Sequence, residues 1–280
     1  MKIATWNVNS LKVRLPHLLD WLAKQSPDVV GLQELKLENA KFPVADLQQA
    51  GYHAVFHGQK TYNGVAILSR RPPAGVSIGM PGFDDPQSRV IAATIATASA
   101  EVRCICAYVP NGQAVGSDKY RYKLDWLEAF IGFVRNETER FPRLAVLGDY
   151  NIAPADEDVH DPAAWEGQVL CSAAERDAFR RLTELGLKDS FRMFPQPEKA
   201  FTWWDYRMNA FRRKMGMRID HVLLSSALAG SCSAVTIDLE PRMLERPSDH
   251  APVVAHFSAI GAAGDEPRQS NEDDSAHVST

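Results

Sequence analysis

Apolar residues fall along this chain in two rhythms. Short apolar runs at residues 2–8, 28–32, 64–69, 90–97, 102–108, 144–147, 219–225 and 252–257 are bounded by turn formers or polar groups. Such runs read as β-strands. Between some of them the spacing changes to that of a helix. Leu15, Leu18, Leu19 and Leu22 make one apolar stripe, with Pro16 expected near the first turn. Tyr120, Leu124, Leu127, Ile131 and Val134 make a second. Ser172-Ala-Ala-Glu175 has the form of a capping box, with Phe179, Leu182 and Leu185 turned inward and Gly186 as the stop. Strands alternate with helices, yet several consecutive strands lack a helix between them. The pattern predicts a mixed-sheet α/β sandwich in place of a purely parallel sheet. No linker interrupts residues 1–258, which are read as one domain, followed by a tail at 259–280.

Polar side chains recur where the apolar runs stop. The run 144–147 is followed by Gly148, Asp149 and Asn151. On an extended backbone residues two apart face the same side, so a carboxylate and an amide would be aimed together; the plain alternative is an Asx-type turn leaving the strand. Asn7 and Asn9 repeat the spacing after the first strand, a faint echo between two halves. Collected, the groups are Asn7, Glu34, Tyr108, Asn111, Asp149, Asn151, Asp220, Asp249 and His250. Each alone could be a cap, a turn residue or a surface charge. Their recurrence at carboxyl edges, where open α/β sheets place ligands, is the signal.

The residue types narrow the chemistry. Acids and amides without a cysteine or histidine cluster suit a hard, oxygen-seeking ion, Mg²⁺ or Mn²⁺, and not zinc. A histidine beside two or three carboxylates suits hydrolysis of a phosphate ester, where water must be oriented and a leaving alkoxide stabilised. No Gly-x-x-x-x-Gly-Lys loop is present, which argues against a nucleoside triphosphatase. Asp220 lies inside an apolar strand and therefore needs a partner, for which His250 is the candidate. His221 alternates to the opposite face and is read as structural.

Composition sets the outer bounds. No apolar run approaches the roughly 18 residues of a membrane span. The chain opens on a strand-like segment, so no export signal is expected and the expected compartment is cytoplasmic. Cys104, Cys106, Cys171 and Cys232 form no Cys-x-x-Cys pair and are read as reduced packing residues. The net charge of -4 resides in residues 261–280, which carry five acids and one base; residues 1–260 hold 30 bases and 30 acids. The acidic tail is expected to be disordered. A neutral body with local basic clusters remains compatible with nucleic acid. Tyr206, Arg207, Phe211, Arg212, Arg213 and Lys214, with Arg218 nearby, interleave aromatics and bases as a nucleic-acid groove does.

Six motifs stand in order: Trp6-Asn-Val-Asn-Ser10, Leu32-Gln-Glu34, Tyr108-Val-Pro-Asn111, Gly148-Asp-Tyr-Asn-Ile152, Arg218-Ile-Asp220 and Ser248-Asp-His250. Together they resemble the bacterial exonuclease III and apurinic/apyrimidinic (AP) endonuclease family of the endonuclease/exonuclease/phosphatase superfamily, over residues 1–258. Asp158-Val-His-Asp-Pro162, Trp165-Glu-Gly167 and Trp203-Trp-Asp-Tyr-Arg207 look like exonuclease III more than its phosphatase or sphingomyelinase cousins. The resemblance implies a DNase I-like, four-layered α/β sandwich of two packed mixed β-sheets flanked by helices. It implies a Mg²⁺-dependent DNA repair nuclease, with Mn²⁺ as a substitute and one or two ions. The substrate would be double-stranded DNA with abasic sites or 3′ ends, the enzyme a monomer with no membrane partner.

By the same resemblance Glu34 would be the principal metal ligand, with Asn7 and Asp249 beside the ion and Asp149, Asn151 and His250 in the same group. Asp149 would hold or deprotonate the attacking water, Asn151 would bond that water or the phosphate, and Tyr108 would meet the scissile phosphate or leaving group. Asp220 would orient His250 against a phosphate oxygen. Trp203 and Met217 would line the sugar pocket. Arg207 would reach into the duplex, and Asn111, Arg89 and the Tyr120–Lys123 segment would contact DNA. Leu35, Lys214, Met215 and Met217 depart from commoner family choices; the Leu35 change is expected to leave the chemistry intact, while Met217 and His160, at the sugar pocket, leave the preference between abasic sites and ordinary 3′ ends open. The alternatives are a phosphatase on a small phosphoester and a catalytically silent DNA-binding module.

Overall fold

A computed structural model describes residues 1–98 and 100–258; the acidic segment expected to be disordered lies outside the described residues. In chain order the elements are β1 (Lys2–Asn7), α1 (Leu11–Gln25), β2 (Val29–Gln33), α2 (Val44–Gln49), β3 (His53–His57), β4 (Val65–Ser69), β5 (Pro73–Ile78), β6 (Val90–Ala96), β7 (Glu101–Tyr108) and α3 (Asp118–Arg140). There follow β8 (Leu144–Asp149), α4 (Pro162–Trp165), α5 (Ala173–Glu184), β9 (Leu187–Asp189), β10 (Trp203–Trp204), β11 (Gly216–Met217), β12 (Asp220–Ser225), α6 (Ser226–Ala229), β13 (Cys232–Ile237) and β14 (Val253–Phe257).

Two six-stranded sheets carry the fold, one in the order β13-β14-β1-β2-β4-β3 and the other β5-β6-β7-β8-β12-β9. Each has one parallel pair, β1 with β2 and β7 with β8, and is otherwise antiparallel. Ile3, Val29, Ile67, Cys106, Leu147 and Val222 belong to the core between the sheets. A second core joins α3 and α5 to the outer face of one sheet, and a third joins α1 to the outer face of the other. The layers are therefore helix, sheet, sheet, helix, as expected from the sequence. Each parallel pair is bridged by its long helix, α1 or α3, which is the crossover a parallel pair demands.

The echo between halves extends to the topology. β1 and β8 occupy equivalent places, each with a parallel neighbour on one side and an antiparallel one, β14 or β12, on the other. Edge strands β3, β5 and β13 and the short β9 carry weak apolar alternation, which explains why the sequence pattern passed over them. The first helix begins earlier than its leucine stripe suggests. Pro16 lies inside α1, where its missing N–H leaves a gap in the helix ladder instead of starting it. The capping box at Ser172 and Glu175 is formed, and Gly186 follows the helix with φ 87°.

Two glycines let the backbones approach. Gly148 pairs with Ala107 and His221 inside the sheet at φ 155°, and a Cβ there would stand 1.9 Å from the Ala107 carbonyl oxygen. A Cβ on Gly31 would meet the Leu147 Cδ1 of the opposite sheet at 2.0 Å, but that neighbour is the end of a movable side chain. Gly148→Ala should therefore destabilise the fold by about 3 kcal/mol or more, through strain that no rotamer change relieves. Urea unfolding measures it, and a loss below about 1 kcal/mol would refute the backbone argument.

Candidate active site

The polar groups collected from the sequence converge at one end of the sandwich, from both sheets. Asn7 closes β1, Glu34 follows β2, and Ser248-Asp249-His250 leads into β14. From the other sheet come Tyr108 at the end of β7, Asp149 at the end of β8 and Asp220 at the start of β12. Asp220 and Tyr108 both stand in register with Asp149.

The extended reading of Asp149 and Asn151 is corrected. Asn151 has φ 48°, and its backbone N–H donates to Asp149 Oδ1 at 2.9 Å, an Asx turn. The first half repeats the device: Asn9 has φ 42° and donates to Asn7 Oδ1 at 2.9 Å. Turning the chain this way returns the strand-end side chains to the mouth of the sheet.

Asn7 joins the halves. Its Nδ2 donates to Glu34 Oε1 and to Asp149 Oδ2, both at 2.9 Å. Because its Oδ1 is engaged by Asn9, the amide presents nitrogen and not oxygen to the two acids. Ligand atoms of Glu34, Asp149 and His250 lie within 4.8 Å of one another. His250 Nε2 is 3.7 Å from Asp149 Oδ2, and its Nδ1 is 2.8 Å from Asp220 Oδ2. The partner that Asp220 required is thus His250. Asp220 Oδ1 is buried with no hydrogen-bond partner among the described residues.

Electrostatics divide the site into opposed states. Burial pushes the Asp149 carboxyl up to about 7, with Asp220 adding to the shift and His250 and Asn7 opposing it. Burial would lower the His250 imidazolium, but the carboxylates of Asp220 and Asp149 outweigh it and raise the group to about 10. Burial also works against ionised Glu34, but Lys36 by charge and hydrogen bond, with Asn7, holds it below the usual carboxylate range. Tyr108 is pushed well above the usual phenol range by burial and by Glu34 and Asp149, so it keeps its proton. Two buried carboxylates bridged by one amide, with oxygen donors dominant, fit a hard divalent cation.

Sequence reasoning missed Lys36 in this network and left Asn9, noted beside Asn7, without a role. Lys36 Nζ lies 2.7 Å from Glu34 Oε2 and 2.5 Å from Asn9 Oδ1. Asn9 Nδ2 in turn donates to Asp249 Oδ1 at 2.8 Å. A lysine two residues after a strand-end glutamate was the available signal. Asp249 stands beside the three-residue cluster, its second oxygen taking the Trp203 indole N–H at 3.0 Å.

Several expected DNA contacts are placed otherwise. Arg89 is nearly buried and spends its guanidinium on Gln87 Oε1 and the Tyr108 carbonyl, stacked 4.8 Å from the Tyr108 ring, so in this structure it braces Tyr108. Met217 has no exposed surface; it packs with Ala153, Val159, Leu170 and Ile219 behind Trp203, which excludes it from the sugar-pocket wall in this conformation. Tyr120 and Lys123 are buried, and Arg218 is enclosed by Asp158 and Asp189. Arg207 is exposed and paired with Asp205, and Trp203 is half-buried at the site's edge. Asn111 donates to Asn151 Oδ1 at 3.1 Å. His160 lies against β11, its Nδ1 3.2 Å from the Gly216 carbonyl. His221 is buried against the Ile152 carbonyl and depressed to about 4 by burial and Arg218, as its structural reading expected.

Known proteins match this arrangement. The profile of the endonuclease/exonuclease/phosphatase family matches residues 4–250. Exodeoxyribonuclease III of Haemophilus influenzae is 36% identical over 267 residues, spanning 92% of this chain and all of the relative. A solved 3′ phosphatase, NExo from Neisseria, bound to a product DNA hairpin, superposes with TM-score 0.89 at 52% identity, covering 92% of this chain and 99% of that one. An AP endonuclease from Archaeoglobus fulgidus superposes with TM-score 0.87 at 39% identity, covering 92% and 99%.

The raised His250 makes a direct test. Its Cε1–H NMR signal should hold the imidazolium position across roughly pH 6 to 8, and Asp220→Asn should lower its midpoint by removing the largest attractive charge. A wild-type midpoint near the ordinary histidine value of about 6.5 would contradict this account.

Proposed function

The chain belongs to the endonuclease/exonuclease/phosphatase family, and on that premise we propose a Mg²⁺-dependent nuclease that trims 3′ ends of double-stranded DNA and incises it 5′ to abasic sites. It is a phosphodiester hydrolase of DNA, and the acids Glu34 and Asp149, with His250 beside them, support the metal-dependent reading. The observation that carries the reading is the pair Glu34 and Asp149, joined by Asn7 across the two sheets and faced by the His250 imidazolium.

Glu34 and Asp149 would hold the ion, with Mn²⁺ able to replace Mg²⁺ because both favour oxygen donors. Bound there, the cation supplies positive charge against a phosphate oxygen. Asp149, beside His250 Nε2 and in the same cluster as Glu34, would hold the attacking water and take its proton. Asn151 uses one N–H on the Val109 carbonyl and one lone pair on Asn111, leaving its second N–H and lone pair for water or phosphate. His250 offers Nε2–H to a phosphate oxygen while Asp220 fixes its other nitrogen. Tyr108 retains its proton and can donate to the leaving oxygen. Trp203, Arg207 and Asn111, with exposed Arg212, Arg213 and Lys214, supply the duplex-facing side.

The emphasis on 3′ ends is favoured by the 52% identity to a 3′ phosphatase against 39% to an AP endonuclease. The same proposal makes the enzyme a cytoplasmic monomer. Its four cysteines are free, and no described helix is long and apolar enough to cross a membrane.

Three labelled duplexes, bearing a 3′-phosphate, a 3′-hydroxyl or a central abasic analogue, test the reading with Mg²⁺ and with EDTA. The 3′-phosphate should be removed fastest and only with the ion. Asp149→Asn should lower the rate at least about 100-fold. Cleavage that survives EDTA, or turnover of a small phosphoester undiminished by excess duplex, would sink the nuclease proposal.

A further inference from the structure

Lys123, read from the sequence as a phosphate contact, has no exposed surface. Its ammonium is 2.5 Å from Glu175 Oε1, and it donates to the Asn151 carbonyl at 2.7 Å and the Asn111 carbonyl at 3.1 Å. All three of its N–H bonds therefore have acceptors. Glu175 is equally committed: Oε1 also accepts from the Leu170 backbone, and Oε2 from the Ser172 backbone and hydroxyl. Tyr120, one turn before Lys123 on α3, reaches the same Ser172 hydroxyl at 2.6 Å.

We infer that Lys123 is a positioning residue for phosphodiester hydrolysis, acting through the carbonyls of Asn111 and Asn151. Asn151 sits in the left-handed region with its N–H on Asp149 and its amide between Val109 and Asn111. Its carbonyl and that of Asn111 converge on one buried point. Two carbonyl oxygens drawn to one ammonium repel each other once it is removed, and the buried Asn151 carbonyl then loses its donor. With the ammonium removed, the Asn151 peptide turns to find another donor and carries its side chain off the reacting group. Stability alone does not require this device, since well-packed apolar residues often replace a buried ion pair without loss. What apolar residues cannot supply is a donor for both carbonyls.

This inference rests on Asn151 acting in hydrolysis, and the test separates the two. Lys123→Met with Glu175→Gln removes both buried charges together. It should lower kcat about 10- to 100-fold on the 3′-phosphate duplex while KM stays within about threefold. In an Asn151→Ala background the same double change should cost less than about threefold, because the residue it positions is gone. An unchanged kcat, or an equal loss in both backgrounds, overturns the inference. If Asn151→Ala by itself leaves kcat intact, the role of Asn151 fails first, and that of Lys123 with it. Should the double variant not fold, Lys123→Arg takes its place: it keeps the charge on Glu175 but moves the donors off the carbonyls. Reduced kcat at constant KM, absent in the Asn151→Ala background, then supports the inference, and wild-type kcat overturns it.

Discussion

The site depends on holding two buried carboxylates from different sheets next to each other. Glu34 and Asp149 would repel if both were ionised without compensation. The protein answers with one amide and three cations. Asn7 donates a hydrogen to each acid, Lys36 neutralises Glu34 from the outer side, and His250 balances Asp149 with Asp220 behind it. Lys123 adds positive charge below Asp149. The arrangement keeps two acids from separate sheets within reach of one another, as a candidate site for a cation requires.

Much of the fold was legible because it follows from period alone. Strands buried on both faces, such as β8 and β12, carry continuous apolar stretches (Leu144–Leu147 and Val222–Leu224), and α3 and α5 show helical stripes with capping signals. Edge strands were less legible, since half of their side chains meet water and their alternation is diluted. The acids and amides of the site were legible as strand-end residues because turns at the mouth need polar groups. Their grouping was not, since it depends on sheet-to-sheet packing between residues as distant in sequence as Asn7 and Asp149. Exposure was the least legible property. Arg89, Lys123 and Arg218 look like surface bases in sequence, yet each is buried and spent on carbonyls, carboxylates or a ring.

Those buried bases alter what second-layer residues do here. Arg89 fixes the backbone and ring of Tyr108, Arg218 ties the Asp158 loop to β12, and Arg242, enclosed by Trp204, Tyr206 and Phe211, donates to the Ser248 carbonyl just before Asp249 and His250. Tyr108 and the Ser248–His250 segment are thus each backed by a long cationic side chain. Hydrogen bonds from charged donors are stronger and more directional than neutral ones, which suits groups that must be held still.

The pairing of β14 with β1 sets the last residues of the domain against the first. His250 enters the site only when the chain just beyond it is laid down as that strand. During synthesis, every other acid and amide of the site is already made before this closing strand arrives. Completion of the centre is therefore tied to closure of the whole domain: a chain ending before residue 250 has neither β14 nor the imidazole it carries to the site.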